Sequence, residues 1–268
     1  MRLAQWLIQA VSRWLAQETQ PAGMPLNDFE RLCEQLRPAD VILVEGRSRF
    51  SGVIQAVTLS SWTHAALYLG RLGDLADRDL AAELTTRHGW SEERQLLIEA
   101  EIDRGCVITP VDSYAPYHLR LCRPRNLLPA DRDAVLAHAL ANLGRTYNLR
   151  QVLDLLRFFF PYGLLPRRWR STLFEAGHGE ATRVICSTMI AKAFEAVRFP
   201  ILPILHRAPG GGYVFHQRNA RIYVPRDFDY SPYFDIIKYP FFGDDDVRLY
   251  RELRWDDAQR TSVPRKRR

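Results

Sequence analysis

Lysine is scarce in this sequence. Only three of its 37 Lys and Arg residues are lysines, so arginine carries nearly all of the positive charge, and the formal net charge is +6 at pH 7. Guanidinium groups suit contacts with phosphates and carboxylates, but apart from a basic run at residues 265–268 they are spread along the chain. No recognisable nucleic-acid-binding motif accompanies the charge. We therefore expect a weak attraction to anionic surfaces and no nucleic-acid partner.

Cysteine is also scarce, and its spacing argues against two common uses. The four cysteines are too few and too scattered for a disulfide framework, and they include no CxxC pair that would suggest a zinc site. They are Cys33, Cys106, Cys122 and Cys186. The histidines show no metal-ligand spacing either. We therefore expect free thiols in a reducing compartment, no metal and no cofactor.

Long hydrophobic runs are absent. No stretch approaches the roughly 20 apolar residues of a membrane span. Gln9 and Ser12 interrupt the first apolar run before a secretory signal would be complete, so no cleavable signal peptide is expected. The sequence predicts a cytoplasmic protein, peripheral at the membrane if its first helix binds lipid. An effector exported by a non-classical route would have the same sequence features.

The composition that remains is that of a globular protein. The chain has 268 residues, 47% of them hydrophobic and 11% aromatic, which favours one large domain with appendages over two equal domains. We divide it into an N-terminal helical segment (residues 1–36), a main domain (residues 37–246) and a basic C-terminal tail (residues 247–268).

The first 20 residues predict an amphipathic helix, with an apolar stripe opposite a face of Arg and Gln. Its apolar residues are Leu3, Trp6, Leu7, Ala10, Val11, Trp14 and Leu15. Such a stripe can pack on the domain, dock into a groove of a partner protein, or lie in a lipid interface. All three uses stay open from the sequence.

The main domain alternates strand and helix patterns, which predicts an α+β fold with a small antiparallel sheet packed against helices. Strands are predicted at residues 41–44, 62–69, 95–102, 105–111 and 119–123. Helices are predicted at residues 28–36, with Asn27 as the N-cap, at 129–143, and from Cys186 to about 197. The end of the domain, rich in Gly, Pro and Tyr, predicts loops with short strands.

Two insertions interrupt this pattern. Residues 74–94 are polar and charged and predict an excursion over the surface. Residues 153–165 are strongly apolar and are followed at once by the basic stretch 167–170. The apolar insertion is too short to span a bilayer, so it is a buried helix or an apolar lid beside a site.

Cys186 stands where a reactive thiol would stand. A thiol nucleophile needs a lowered pKa, which a helix N-terminus and a neighbouring imidazole can provide. Cys186 opens a predicted helix, so the unpaired N–H groups of the first turn would face its side chain and could also stabilise an oxyanion. The alternative is a small buried apolar side chain, the usual role of a free cysteine.

His64 and Glu99 lie on two apolar predicted strands. A buried carboxylate is costly unless it is hydrogen-bonded, and a carboxylate that orients an imidazole is a known catalytic arrangement. Each residue alone is also compatible with a satisfied core position. Glu101 points to the same face as Glu99 and is the alternative orienting residue.

The order and context of these residues resemble a known family. The segments 36–44 and 60–70, a strand opened by Asp40 and a strand carrying His64, resemble the permuted papain-like enzymes of the YiiX/YaeF type, relatives of the NlpC-type cell-wall peptidases. The strand with Glu99 and the helix start at residues 184–191, which contains Cys186, fit the same pattern. Residues 224–232 are similar to the family's closing element. Specificity comes from order and context together.

The resemblance implies a permuted papain-like (NlpC-like) fold with Cys186 as nucleophile, His64 as general base and Glu99 as the residue that orients it. The implied activity is that of a cysteine-dependent amidase, peptidase or acyltransferase, acting on an amide or ester bond of a small-molecule, peptide or lipid substrate. Departures from the pattern are Thr63, where a serine is more usual, and the two insertions, which would reshape the substrate cleft.

Three further residues are expected to bind substrate: Trp62, Tyr147 and Ser187. The two other function classes that the sequence leaves open are a non-catalytic, membrane-associated binding module of the same fold and a structural protein that binds a partner through its first helix.

Overall fold

The run Val-Ile-Leu-Val at residues 41–44 is apolar on both sides of a strand, and the structure explains why. The structure is a computed structural model that describes residue 17 and residues 24–101, 104–145 and 185–240. Its central antiparallel sheet has six strands, in the order β4 (Gly105–Pro110), β3 (Gln95–Glu101), β2 (His64–Arg71), β1 (Val41–Glu45), β5 (His118–Pro124) and β8 (Phe234–Ile237). Strand β1 therefore lies inside the sheet, between β2 and β5.

The elements follow one another along the chain as helices and mostly hairpin-connected strands. In chain order they are α1 (Phe29–Gln35), β1 (Val41–Glu45), α2 (Arg49–Thr58), β2 (His64–Arg71), α3 (Arg78–His88), β3 (Gln95–Glu101), β4 (Gly105–Pro110), β5 (His118–Pro124), α4 (Pro129–Leu140), α5 (Ile185–Ala196), β6 (Ile204–Arg207), β7 (Tyr213–His216), α6 (Arg226–Tyr230) and β8 (Phe234–Ile237). Short 3₁₀ turns lie at Leu72–Asp74, Val111–Tyr114 and Ala220–Ile222.

Both faces of the sheet are covered. Alternate strand residues such as Val41 and Leu43 join one core cluster with residues of α4 and α5. Their neighbours, such as Ile42 and Val44, join a second cluster with Leu32 of α1. A strand buried on both faces is apolar throughout, since every side chain lies in a core. The α+β class and the antiparallel sheet against helices are thus confirmed.

The five predicted strands are present, with ends that differ by no more than two residues from the prediction. The predicted surface excursion at 74–94 contains helix α3, which is mostly exposed but inserts Leu84 into the main core. Helix α2 has no counterpart among the predicted elements. Among the residues that the structure describes, no helix is long and apolar enough to cross a membrane.

The predicted cap of the first helix is wrong. Asp28, not Asn27, is the N-cap of α1, and its carboxylate accepts a hydrogen bond from the Arg31 N–H at 3.0 Å. Asn27 instead accepts a bond from the Leu119 N–H at 2.8 Å, which ties the start of the helix to β5. Either residue type can cap a helix, so the long-range contact decides.

A buried ion pair fixes the beginning of β1. Asp40 is 1% exposed, and the Nε and Nη2 atoms of Arg123 donate to its two carboxylate oxygens at 2.9 and 2.7 Å. The Arg37 N–H donates to the same carboxylate at 2.7 Å. This end of β1 lies opposite to the end that pairs with His64.

Several predicted features fall outside the described residues. They are the amphipathic helix over residues 1–20, apart from Gln17, the apolar insertion 153–165 with the basic stretch after it, Tyr147 and the tail 247–268.

Candidate active site

His64 is the first residue of β2, and the backbone before it is held by hydrogen bonds with the end of β1 and with Gly46. The Thr63 N–H donates to the Val44 carbonyl at 3.0 Å, and the Gly46 N–H donates to the Thr63 hydroxyl at 2.9 Å. A Cβ atom on Gly46 would lie 2.6 Å from that hydroxyl and 2.4 Å from the Ser51 hydroxyl. Only glycine therefore allows this approach, and the entry to the strand that carries His64 is fixed.

Glu99 lies on the neighbouring strand β3 and is completely buried. Its Oε2 atom contacts Nε2 of His64 in a short hydrogen bond. Its other oxygen, Oε1, is buried without a hydrogen-bond partner among the described residues. An ionised carboxylate in such a place is stable only with strong donors, so the imidazole is a principal support of its charge.

Tyr114 is a second support, and the sequence analysis missed it. Its hydroxyl donates to Glu99 Oε2, the same oxygen that His64 contacts. Its ring is stacked near the imidazole, with ring centroids 6.2 Å apart and planes inclined by 23°. Tyr114 ends the 3₁₀ turn after β4. No local pattern distinguishes it from other tyrosines, because only the pairing of β3 with β4 brings that turn to Glu99.

Cys186 approaches from the helix side of the sheet. It lies in the first turn of α5, and its side chain is 3% exposed. The thiol interacts with the His64 imidazole and the Ala65 N–H, and Sγ lies 3.9 Å from the Ser187 hydroxyl. Because Nε2 of the imidazole is engaged by Glu99, Nδ1 is the ring nitrogen left to face the thiol.

The three residues are thus linked in the order thiol, imidazole, carboxylate, by electrostatic interaction between the first two and a hydrogen bond between the last two. The electrostatics follow from this order. Burial acts to raise the pKa of the Cys186 thiol, but the His64 imidazolium and the Ala65 N–H outweigh it and hold the pKa below its ordinary value. Burial likewise acts to lower the pKa of His64, yet Cys186 and Glu99 hold that pKa well above its ordinary value.

The pKa of Glu99 is lowered for the complementary reason. Burial, the largest single influence, would raise it, but the His64 imidazolium and the hydroxyls of Thr109 and Tyr114 together outweigh burial. The pKa of the Tyr114 phenol is raised, first by burial and then by the charge of Glu99. Tyr114 therefore stays protonated and remains a donor to the carboxylate.

In the other three cysteines the pKa of the thiol is raised, not lowered. Burial raises the pKa of Cys33 to about 12 and that of Cys106 to about 11, and it raises the pKa of Cys122 as well. None of these three thiols has an imidazole among its influences. Cys186 is therefore the one cysteine of the chain whose pKa is lowered.

Glu101, the alternative orienting residue, is directed elsewhere. Its carboxylate accepts from the Arg104 guanidinium at 3.0 Å, and 31% of its side chain is exposed. Burial and the charge of Glu99 raise its pKa. The carboxylate that is hydrogen-bonded to the imidazole is that of Glu99. The structure therefore brings together Cys186, His64 and Glu99, and Glu101 does not contact this group.

The residues predicted to bind substrate are dispersed. Ser187 is fully buried beside the thiol. Trp62 is 6% exposed and belongs to the main core cluster, separate from the cluster that contains Cys186. Its Nε1–H donates to Asp229 at 3.3 Å, and the Arg120 guanidinium lies 4.7 Å from its ring centroid. Tyr147 lies outside the described residues.

The surroundings of the thiol are apolar. Cys186 forms a small cluster with Ile54 of α2, Ala100 of β3 and Val224, and Phe50 of α2 packs against it. Helix α2, absent from the predicted elements, therefore provides part of the wall beside the candidate nucleophile. An apolar wall lowers the local dielectric and strengthens the charge interactions within the site.

A cleft of about 560 Å³ lies away from this site, beside the start of β1. It is lined by guanidinium groups and by the carboxylates of Asp40 and Asp235. Both carboxylates are already paired, with Arg123 and Arg125 respectively. Within the described ranges no cluster of three or more His, Cys, Asp or Glu side chains is arranged to hold a metal ion.

Comparisons with known proteins give little more. No protein-family model matches the chain, and no curated protein matches it. Among solved structures, the crystal structure of metalloprotein YiiX from Escherichia coli O157:H7 is similar, with 14% identity and a TM-score of 0.44, over 78% of this chain and 99% of the YiiX chain. A likeness of this size shows neither family membership nor activity.

Proposed function

We propose that the protein is a cysteine-dependent hydrolase or acyltransferase of the permuted papain-like class, with Cys186 as nucleophile, His64 as general base and Glu99 as the residue that orients the imidazole. The single observation that carries the proposal is the position of the His64 ring. Its Nε2 atom is hydrogen-bonded to a completely buried carboxylate, and the buried Cys186 thiol is near enough to the same imidazole for each group to shift the pKa of the other.

The chemistry follows from this order of contacts. The Cys186 thiolate attacks a carbonyl carbon, and the electron pair of the C=O bond moves to the oxygen. The backbone N–H of Cys186, in the first turn of α5, stabilises that oxyanion. The imidazolium of His64 then gives its proton to the leaving amine or alcohol, which departs as the thioester forms.

In the second half of the reaction, which releases the acyl group from Cys186, His64 acts as a base again. His64, now neutral, takes a proton from water or from an acceptor nucleophile, and that nucleophile displaces the Cys186 thiolate from the acyl group. Glu99 stabilises the imidazolium each time it forms and keeps Nδ1 directed at the thiol. Water as the nucleophile gives a hydrolase, and an alcohol or amine gives an acyltransferase.

The wall beside the thiol favours an acyl group with apolar character. Phe50, Ile54 and Val224 surround the nucleophile, and apolar pockets with few polar groups bind apolar ligands. A lipid, a lipidated molecule or a peptide with an apolar side chain next to the reacting carbonyl fits this description better than a strongly polar substrate.

Alkylation by iodoacetamide across pH tests the proposal. We expect one cysteine to react well below pH 8, and peptide mapping to identify it as Cys186 by comparison with Cys186→Ser. His64→Ala should remove the reactivity at low pH, and Glu99→Ala should reduce it, because each change removes support for the thiolate–imidazolium pair. His118→Ala is the matched control, since His118 also lies near a glutamate, Glu45, at 3.6 Å, but Cys186 is not among the groups that shift its pKa.

An unreactive Cys186, or a reactivity that His64→Ala leaves unchanged, would refute the catalytic assignment. The non-catalytic binding module of the same fold would then be the better account of the chain. A reactive Cys186 justifies a substrate screen over amides, esters and thioesters with aliphatic and aromatic acyl groups.

A further inference from the structure

The β6–β7 hairpin has an unusual surface. Its two strands pair only with each other in the described part of the chain, and all eight strand residues are exposed. Five of them are large and hydrophobic: Ile204, Leu205, Tyr213, Val214 and Phe215, with exposed fractions between 44% and 63%. A contiguous exposed apolar surface on a protein marks an interaction site.

The apolar residues lie on both faces of the hairpin. The register pairs Leu205 with Phe215 and His206 with Val214. Because side chains alternate between faces, Leu205, Tyr213 and Phe215 share one face, and Ile204 and Val214 share the other. A groove on a partner protein would cover one face. A strand added to an edge would cover neither, whereas a fluid lipid interface can surround both.

The charge around the hairpin points to an anionic surface. Between Glu195 and Asp227 the sequence contains no acidic residue. The same segment contains five arginines, Arg198, Arg207, Arg218, Arg221 and Arg226. Aromatic and aliphatic side chains beside basic residues are the combination that binds the headgroup region of anionic membranes.

The backbone limits how deeply the hairpin can enter. The edges of an isolated two-stranded ribbon keep unpaired N–H and C=O groups, which cannot be buried in hydrocarbon. The turn is closed by the Ala208 N–H, which donates to the Gly212 carbonyl at 3.1 Å. The hairpin therefore fits the hydrated headgroup layer and not the bilayer core.

We propose that the β6–β7 hairpin is a membrane-binding arm, which places its apolar side chains in the headgroup layer of an anionic bilayer. Its base is anchored to the protein by the Gln217 side chain, which donates to the Glu195 carbonyl at 3.2 Å near the end of α5. Cys186 lies at the opposite end of that helix. The proposal does not depend on the catalytic assignment.

Partitioning of the full-length protein into vesicles tests this. Binding to vesicles of pure phosphatidylcholine and to vesicles that contain 30% phosphatidylglycerol is measured by co-sedimentation, at protein concentrations that do not saturate the vesicles. The double variant Leu205→Ser, Phe215→Ser should bind the anionic vesicles at least tenfold more weakly than the natural chain. Arg207→Gln should weaken binding to the anionic vesicles about threefold and leave binding to the neutral vesicles unchanged. Independent anchors contribute separate factors to the partition coefficient. A second anchor in residues 1–20 would contribute the same factor in every variant, so it would not hide these losses.

The matched control removes two hydrophobic side chains that are more exposed but lie elsewhere. Leu59 and Tyr230 are 84% and 79% exposed, and Leu59→Ser, Tyr230→Ser should bind vesicles within twofold of the natural chain. Equal losses in both double variants, or no loss in the hairpin variant, would overturn the proposal. So would a dimer in light scattering that the hairpin variant dissociates while vesicle binding is absent, since a second copy would then cover the hairpin. Urea unfolding of each variant checks that the fold is retained.

Discussion

Tyr114 shows how much of the candidate site depends on a residue without a sequence signal. Its hydroxyl and His64 Nε2 both bind Glu99 Oε2, so the phenol holds the carboxylate in the orientation that the imidazole needs. Loss of the phenol would leave the carboxylate supported by the imidazole and the Thr109 hydroxyl.

Tyr114→Phe should therefore weaken the support for the imidazolium. We expect the pKa of Cys186 to move upward toward its ordinary value, and the rate of alkylation by iodoacetamide at pH 6 to fall about three- to tenfold, because only part of the roughly 1.5–3 kcal/mol that a hydrogen bond to a charged group contributes would reach the thiol. The pH–rate profile measures both. Tyr117→Phe, in a ring that packs edge-on against Tyr114, is the control. A thiol pKa that stays unchanged or falls would contradict a positioning role.

At the scale of elements, two Arg–Asp pairs around β5 offer a comparison of burial. Asp40 is 1% exposed on its side chain and pairs with Arg123, whereas Asp235 is 49% exposed and pairs with Arg125. Both pairs join β5 to a neighbouring part of the sheet. The two pairs have the same chemistry, so a difference in their contributions to the free energy of unfolding measures the effect of burial.

Asp40→Asn should lower the free energy of unfolding by about 3 kcal/mol, because it leaves the Arg123 guanidinium without its counter-charge in a buried place. Asp235→Asn should lower it by at most about 1 kcal/mol, because water screens the exposed pair. Urea denaturation of both variants measures the two values. Similar losses would mean that the Asp40 pair is not the anchor of β1. Alkylation of Cys186 should be unaffected in both, since the pairs lie at the start of β1 and the end of β5, opposite to the end of β1 that pairs with His64.

At the scale of the whole molecule, the candidate site couples stability to pH. The pKa of Glu99 in the folded protein is lower than its ordinary value of 4.5, so the unfolded chain binds the proton more tightly. The stabilisation by Glu99 is then fully present above about pH 4.5 and is lost as the pH falls through the folded pKa. His64 adds no pH dependence to the free energy of unfolding in that range, because the stabilisation from its raised pKa is fully present below pH 6.5.

We expect the free energy of unfolding of the natural chain to fall more steeply below pH 4.5 than that of Glu99→Gln, which has no proton to bind at this position. Urea denaturation at intervals between pH 3 and pH 6 measures both curves. Parallel curves would show that Glu99 is not held ionised by its partners in the fold.

The molecule also shows where local patterns suffice and where they do not. The β1 run is apolar at every position, and this predicts a buried strand without any knowledge of its neighbours. Helix α2 was missed because Gly52 and the β-branched residues of its sequence have low helix propensity. The hydroxyl of Ser48 caps it by accepting from the Ser51 N–H. Asn27 and Asp28 are equally good caps by residue type, and the contact of Asn27 with β5 decides between them.

By itself the sequence determined five strands of the central sheet and the helices α1, α4 and α5, that the fold is α+β, and that Cys186, His64 and Glu99 are the candidate site residues. Periodicity, caps and residue types are local properties, so the chain alone carries them. Only the tertiary structure decided that the imidazole contacts Glu99 and not Glu101, that Tyr114 joins them, that Trp62 packs in the core, and that the β6–β7 hairpin is exposed on both faces. Each of these depends on strand register and on packing between residues far apart in the chain, which local patterns do not encode.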